Sequence, residues 1–311
     1  SIGSNETAAI SVSNGKNLTI VNTDTANLGS IIPKVPTHST QRNAVIATGG
    51  GKLTLGTTSA TGLMNLGAYT SSIEVDAAST FTMNNGTLDN GIYVHGSGAT
   101  VVINGGVVNT ATGGNATITG NYATNNGGTS ITINGGTING NDHAAIYHPQ
   151  TGTLTINGGT ITGPNAIELK AGSLVVNGGT ITATGPFAAT PAKTTTNYTN
   201  TGDAILIYNR NGYGTGTMNV TISGTPAITS TNGYALREFT QSGETSRLGT
   251  AAISGGQFTG GAGAVFFSTV DSAHLALTPG GQYSTDPDSY LFEPYGSYFA
   301  DPWWEIHALP P

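Results

Sequence analysis

The sequence contains no cysteine, so its fold does without disulfides. Charge is scarce as well: 8% of residues are Asp, Glu, Lys or Arg, against roughly 25% in an ordinary soluble domain. Sixteen acidic against nine basic side chains leave a net charge of −7, which argues against a nucleic-acid partner. No apolar run approaches the roughly 18–20 residues that a membrane-spanning helix requires. Tracts such as "KTTTNYTNT" are neither basic nor amphipathic, so membrane insertion is not expected either. The opening "SIGSNETAAISVSNG" lacks the basic start and apolar stretch of a signal peptide and reads as a mature or trimmed chain. Nucleophile elbows, phosphate loops, dinucleotide fingerprints and calcium-binding nonapeptide repeats are all missing.

What is present is glycine, at 47 residues, together with Thr, Asn and Ser. Low charge and modest hydrophobicity can mark disorder, but here Ile, Val and Leu fall in short, regularly spaced runs that mark ordered structure. One phrase recurs: "ITINGGTI" at 131, "LTINGGTI" at 154 and "LVVNGGTI" at 174. The leading glycines of such units are Gly105, Gly135, Gly158, Gly178, Gly255 and Gly280, with degenerate copies around Gly56, Gly86 and Gly224. Their spacing varies while the phrase does not, as in a solenoid with fixed strands and insertions in its loops.

Within the phrase the period is two. Ile131 and Ile133, Leu154 and Ile156, Leu174 and Val176 alternate with small polar residues, which describes a strand with one buried face. The glycine pair turns a corner, and a short strand follows through Ile138, Ile161 or Ile181. The Asn before the pair is expected to stack on its equivalents and hydrogen-bond along the stack. Between the phrases lies another strand: "GIYVH" (91–95), "AIYHP" (145–149), "AIELK" (166–170), "AILIY" (204–208), "YALREF" (234–239) and "AVFFS" (264–268). Two to three strands per coil, stacked coil upon coil, give an all-β parallel β-helix, and the preference for right-handed crossovers selects the right-handed form.

On these repeats the chain resembles the right-handed, pectin-lyase-like β-helix proteins, and most of all the Thr/Asn/Gly-rich adhesin and autotransporter-passenger domains of bacterial surfaces. The resemblance spans about residues 10 to 283 and implies a secreted or cell-surface location within a larger surface protein. "GGQYSTDPDSYL" (280–291) is similar to phrases that close such units in cell-surface proteins. The expected organisation is a single β-helix domain of about ten coils. Residues 1–45 would form an irregular N-terminal cap and first coil, 46–283 the repeated coils, and 284–311 an irregular, aromatic C-terminal cap.

The intervening strand carries the unusual chemistry. If Ile92, Ile146, Ile167, Ile205, Leu236 and Val265 point inward, alternation puts Tyr93, Tyr147, Glu168, Leu206, Arg237 and Phe266 in one outward column. His95, Pro149, Lys170, Tyr208, Phe239 and Ser268 fall in a second outward column. The same alternation turns His148 and Glu238 inward, which is costly for an unpaired acid and invites a bulge or a shifted register in "YALREF". Insertions at 182–203, 209–217 and 240–250 would wall the strip and add Tyr198, Arg210 and Tyr213.

Rings beside hydroxyl- and amide-rich surface suit a sugar. The expected function is therefore a binding domain for glycans or host surface glycoproteins. Its ligand residues would be Tyr93, His95, Tyr147, Glu168, Lys170, Tyr208, Arg210, Tyr213 and Arg237. The same columns also allow outward tyrosines that merely pack the sheet and charges that are merely solvated. No catalytic residue is assigned. A glycoside hydrolase on this scaffold would draw on Asp142, Glu168 and Asp203. A polysaccharide lyase, with Lys170 or Arg237 as base, lacks the acids for a calcium site. Asp142, His143 and His148 do not amount to a metal site, and no cofactor is implied. The remaining alternative is a structural or self-associating stalk.

Overall fold

The computed structural model describes the chain apart from residues 1–7, 25, 32–42, 58–63, 67–70, 111–115, 121–126, 192–199, 211–215 and 311. The described chain winds into a right-handed parallel β-helix. Three sheets run its length: sheet A and sheet B with ten strands each, and sheet C with twelve. Each coil adds one strand to each sheet, in the order A, B, C. The fifth coil, for example, uses Ile118–Gly120, Thr129–Ile133 and Thr137–Asn139. Among the described residues no helix is long and apolar enough to cross a membrane.

Period-two patterning becomes columns of apolar side chains, one per sheet position, stacked inside the coil. On sheet B, Phe81, Val101, Ile131, Leu154, Leu174 and Val220 are mutual ladder neighbours, all without solvent exposure. On sheet C the column runs Leu88, Val108, Ile138, Ile161, Ile181, Ile228, Phe258 and Tyr283. Its last two members are stacked rings 5.1 Å apart. β-Branched side chains suit such a stack because their stiff rotamers fit a pleated surface without loss of freedom.

The Asn-Gly-Gly corner between sheets B and C shows why both glycines are needed. A β-carbon on Gly105, Gly135, Gly158 or Gly178 would lie 2.7 Å from the carbonyl oxygen of the corner Asn one coil earlier. The second glycines, Gly106, Gly136, Gly159 and Gly179, have φ between +84° and +91°, a region that costs other residues about 1–2 kcal/mol. The asparagines form the expected ladder: Asn104 Nδ2 donates to Asn84 Oδ1, Asn134 to Asn104, Asn157 to Asn134 and Asn177 to Asn157, at 2.8–2.9 Å. Ser223 Oγ ends it on Asn177 Oδ1 at 3.1 Å.

At the N-terminal end, the first-coil strands Ala8–Val12, Asn17–Ile20 and Gly29–Ile31 are already regular. At the other end, Tyr290, Leu291, Phe292, Tyr295 and Trp304 close over the core. This segment is more regular than the sequence reading of an irregular cap allowed. Strands Tyr295–Ala300 and Trp303–Ala308 form an antiparallel hairpin that extends sheet C.

Candidate functional site

Sheet A aligns the outward columns as alternation requires. Glu74, Tyr93, Thr119, Tyr147, Glu168, Leu206, Arg237 and Phe266 are successive ladder partners. The doubt over "YALREF" is resolved without a bulge: Tyr234–Thr240 pairs in constant register with both neighbours. Glu238 does turn inward and is fully buried, but it is not unpaired. Its carboxylate accepts from the backbone N–H of Ser268 and of Thr269, both at 2.8 Å, and from the hydroxyls of Ser268 and Thr240. Ser268 and Thr269 belong to the turn that leaves sheet A in the last coil, and Thr240 ends the strand that carries Glu238 itself. His148 also faces inward, and burial drives its pKa down to about 4, so the ring is neutral.

Outward does not mean exposed on this sheet. Tyr147, Glu168, Lys170, Tyr208, Arg210 and Arg237 are all buried, so the open aromatic strip expected from the sequence does not exist across the sixth to ninth coils. Described parts of the insertions lie over this stretch of the sheet rather than beside it. Arg237 holds one of them down: Nη1 donates to Ala188 O at 2.9 Å, and Nη2 donates to Ala189 O. Tyr208 Oη reaches Pro191 O at 3.4 Å. Arg247 ties the other insertions together, donating to Asn209 Oδ1, Gly216 O and Lys170 O. Four of the nine basic side chains of the chain, Lys170, Arg210, Arg237 and Arg247, are concentrated here.

The carboxylates are equally committed. Asp203 accepts from Thr201 Oγ1 at 2.6 Å, from Tyr234 N–H at 2.8 Å and from Arg237 Nη1 at 3.3 Å. Burial raises its pKa, with Thr201, Tyr234 and Arg237 pulling the other way. Glu168 Oε1 lies 3.0 Å from Lys170 Nζ, two residues along the strand and on the same face. The ammonium sits 4.8 Å from the Tyr208 ring centroid and 5.5 Å from that of Tyr147. Burial lowers the Lys170 pKa against the pull of Glu168. Asp142, by contrast, is exposed in a turn, where its carbonyl accepts from Asn200 Nδ2. The three acids named as a possible catalytic set thus divide between solvent and a sealed interior. Among the described residues no group of three or more His, Asp or Glu side chains could hold a metal ion.

Tyr93 and His95, on the fourth coil, are half-buried and stack with ring centroids 4.7 Å apart. His95 Nε2 lies 2.6 Å from Glu74 Oε1, and that hydrogen bond raises the histidine pKa. Tyr198 and Tyr213 lie outside the described residues.

A surface that sequence reasoning captured only in part, placing Phe239 and Phe266 outward but not Phe187 or Tyr234, surrounds Arg237. Its guanidinium carbon is 4.9 Å from the ring centroid of Phe239, 5.5 Å from Phe266, and 5.7 Å from both Phe187 and Tyr234. Phe187 is 40% exposed, and the other three rings are partly exposed. Phe187 packs edge-on to Tyr234 at 5.8 Å, and Tyr234 leans on Phe266 at 5.3 Å. Strict alternation would send Tyr234 inward with Leu236. Instead its ring lies over Gly263 of the next coil, where a β-carbon would be 2.9 Å from Tyr234 Cε1. A glycine paired with an aromatic was the available signal, but it can be read only once the register is known.

No family model matches the chain, and neither a curated protein nor a solved structure matches it.

Proposed function

We propose that this chain is a secreted or cell-surface β-helix binding domain, of the adhesin or autotransporter-passenger kind, that recognises glycans or host surface glycoproteins. The observation that carries the proposal is the partly exposed cluster of Phe187, Tyr234, Phe239 and Phe266 around the anchored Arg237. Exposed rings of fixed orientation offer flat apolar faces to the C–H face of a sugar, and the Thr- and Asn-rich surroundings offer hydroxyls and amides. The anchoring supports the reading too: Arg237 ties its ring neighbours to a buried acid and to loop carbonyls, so little conformational entropy remains to be lost on binding.

The reading differs from the sequence expectation in its location. Tyr147, Glu168, Lys170 and Tyr208 act as the foundation of the loops, and the recognition surface lies above and beyond them. A hydrolase gains no support, because Glu168 and Asp203 are buried and engaged while Asp142 stands apart in solvent. The test is retention on a glycan array by the wild type and by a Phe187→Ala/Phe266→Ala double variant. Loss of the wild-type signal in the variant is expected. Equal retention by both would move the site elsewhere, and no retention by the wild type on any glycan would leave the stalk reading in its place.

A further inference from the structure

Away from sheet A, the corner between sheets B and C opens into a groove of about 510 Å³ near the C-terminal end. Its origin lies in corner length. In the seventh coil, Gly178 and Gly179 separate Asn177 from Thr180. The eighth coil inserts a residue there, giving Gly224-Thr225-Pro226 before Ala227, which pairs with Thr180. The tenth coil is also longer by one, with Pro279-Gly280 standing where the ninth has Gly255 alone. The ninth coil keeps the short corner. Two proline-bearing ridges therefore flank a floor of bare glycine backbone, where a β-carbon on Gly256 would come within 3.1 Å of the Pro226 ring.

One wall is polar and directional. The residue after the glycine pair is Thr in the fifth, sixth and seventh coils (Thr137, Thr160, Thr180), but Gln257 and Gln282 in the ninth and tenth. The cap strand continues that column with Glu305. Gln257 Nε2 donates to Gln282 Oε1 at 3.3 Å, and Gln282 Nε2 donates to Glu305 Oε1 at 3.0 Å. The row ends on Glu305 Oε2, 3.7 Å from His307 Nε2. Each amide is thereby oriented by its neighbour, and a carboxylate oxygen terminates the row.

We infer that this groove is a second saccharide subsite, specific for a neutral sugar unit with free vicinal hydroxyls. The proline rings of 226 and 279 take its C–H face, and the Gln257–Gln282–Glu305 row takes its hydroxyls, with Glu305 Oε2 as the terminal acceptor. Glu305 excludes acidic sugars by like-charge repulsion. The volume lies in the range that holds small ligands. The ligand class rests on the glycan reading above, whereas the site is independent of the Arg237 cluster.

Both tryptophans of the chain, Trp303 and Trp304, lie in the cap strand immediately before Glu305, which lines the groove. The experiment titrates the whole chain with maltose, cellobiose, N,N′-diacetylchitobiose and digalacturonate, followed by tryptophan emission and by calorimetry. We expect saturable binding of at least one neutral disaccharide, weaker by about tenfold or more in Gln257→Ala and in Glu305→Gln, and unchanged in Phe187→Ala/Phe266→Ala. Digalacturonate should bind the wild type more weakly than that disaccharide does. The inference is overturned if no neutral disaccharide binds, if Gln257→Ala and Glu305→Gln bind as the wild type does, or if digalacturonate binds best. Binding that is lost in the Phe187→Ala/Phe266→Ala variant instead places the saccharide on sheet A and overturns the groove while sparing the first reading.

Discussion

Replacing Arg237 with Ala tests whether the buried charges of sheet A serve to hold the loops. The guanidinium makes two charge-assisted hydrogen bonds to the carbonyls of Ala188 and Ala189 and one to Asp203. Bonds to a charged partner contribute about 1.5–3 kcal/mol each. Stranding one member of a buried ion pair costs about 3–5 kcal/mol. These terms overlap, and a net loss of about 3–5 kcal/mol is expected at neutral pH. Coils couple mainly to their neighbours, so the loss should be local to the seventh to ninth coils. The Tyr234 amide, which donates to Asp203, is the natural reporter. Its hydrogen-exchange protection should fall by about 10²–10⁴, while the Asn134 amide of the fifth coil, bonded to Ile103 O, should not change. The pH dependence has a definite sign. Asp203 holds its proton more tightly folded than unfolded, so its contribution to stability is present below the unfolded value of 3.8 and is lost as pH rises through the raised folded value. Arg237 counters that rise, and removing it widens the gap. The deficit of the variant should therefore be largest above the folded value and shrink as Asp203 protonates. Unchanged Tyr234 protection, or a deficit equal at about pH 8 and about pH 4, would refute the assignment.

Three further outcomes follow from the same geometry. His148 is buried beside Leu169 in an inward column, with a folded pKa near 4 against 6.5 unfolded. Stability should therefore fall as pH drops from 6.5 towards 4, by up to about 3 kcal/mol, and His148→Leu should flatten that stretch of a denaturant-midpoint profile. Asn134→Ala removes two ladder hydrogen bonds, to Asn104 and from Asn157, and should cost about 2 kcal/mol in urea unfolding. An effect below a few tenths would mean that solvent replaces the ladder. Gly136→Ala meets both a φ of +84° and a β-carbon 2.8 Å from Gly106 O, and should destabilise by more than the Asn134 variant does in the same assay.

The coil was legible because its determinants are local and repeated. Ile131-x-Ile133, the glycine pair and the following Ile138 have counterparts in the fourth to seventh coils and degenerate copies beyond them, so one reading serves for several. Even the first outward column of sheet A came out in order from Tyr147 through Glu168 and Arg237 to Phe266, although Thr119, which stands between Tyr93 and Tyr147, was not foreseen. Their burial was not legible. Alternation tells which side of a sheet a side chain takes, but it carries no term for what lies against that side. The insertion that covers Tyr208 and Arg237 occurs once, so no repeat discloses where it folds. The hairpin of the tail was not legible for a related reason. "YGSYFA" and "WWEIHA" match no coil, and a hairpin that occurs once has only its own alternation to announce it.

A chain this poor in charge need not bury any, yet it buries Glu168, Lys170, Asp203, Arg210, Arg237 and Glu238 on or beside one sheet. For stability alone, apolar side chains of similar volume would serve as well or better, since desolvating an ion pair costs about as much as the pair returns. The apolar columns of the same coils show that the sequence has that solution at hand. What charged side chains do that Leu or Ile cannot is donate to several backbone carbonyls at fixed positions, as Arg237 does at Ala188 and Ala189 and Arg247 at Gly216 and Lys170. Loops that lack regular strand pairing need such donors to adopt one shape. The concentration of charge therefore marks where loop shape matters, and on this rod that is the stretch of sheet A beneath the Phe187–Tyr234–Phe266 surface.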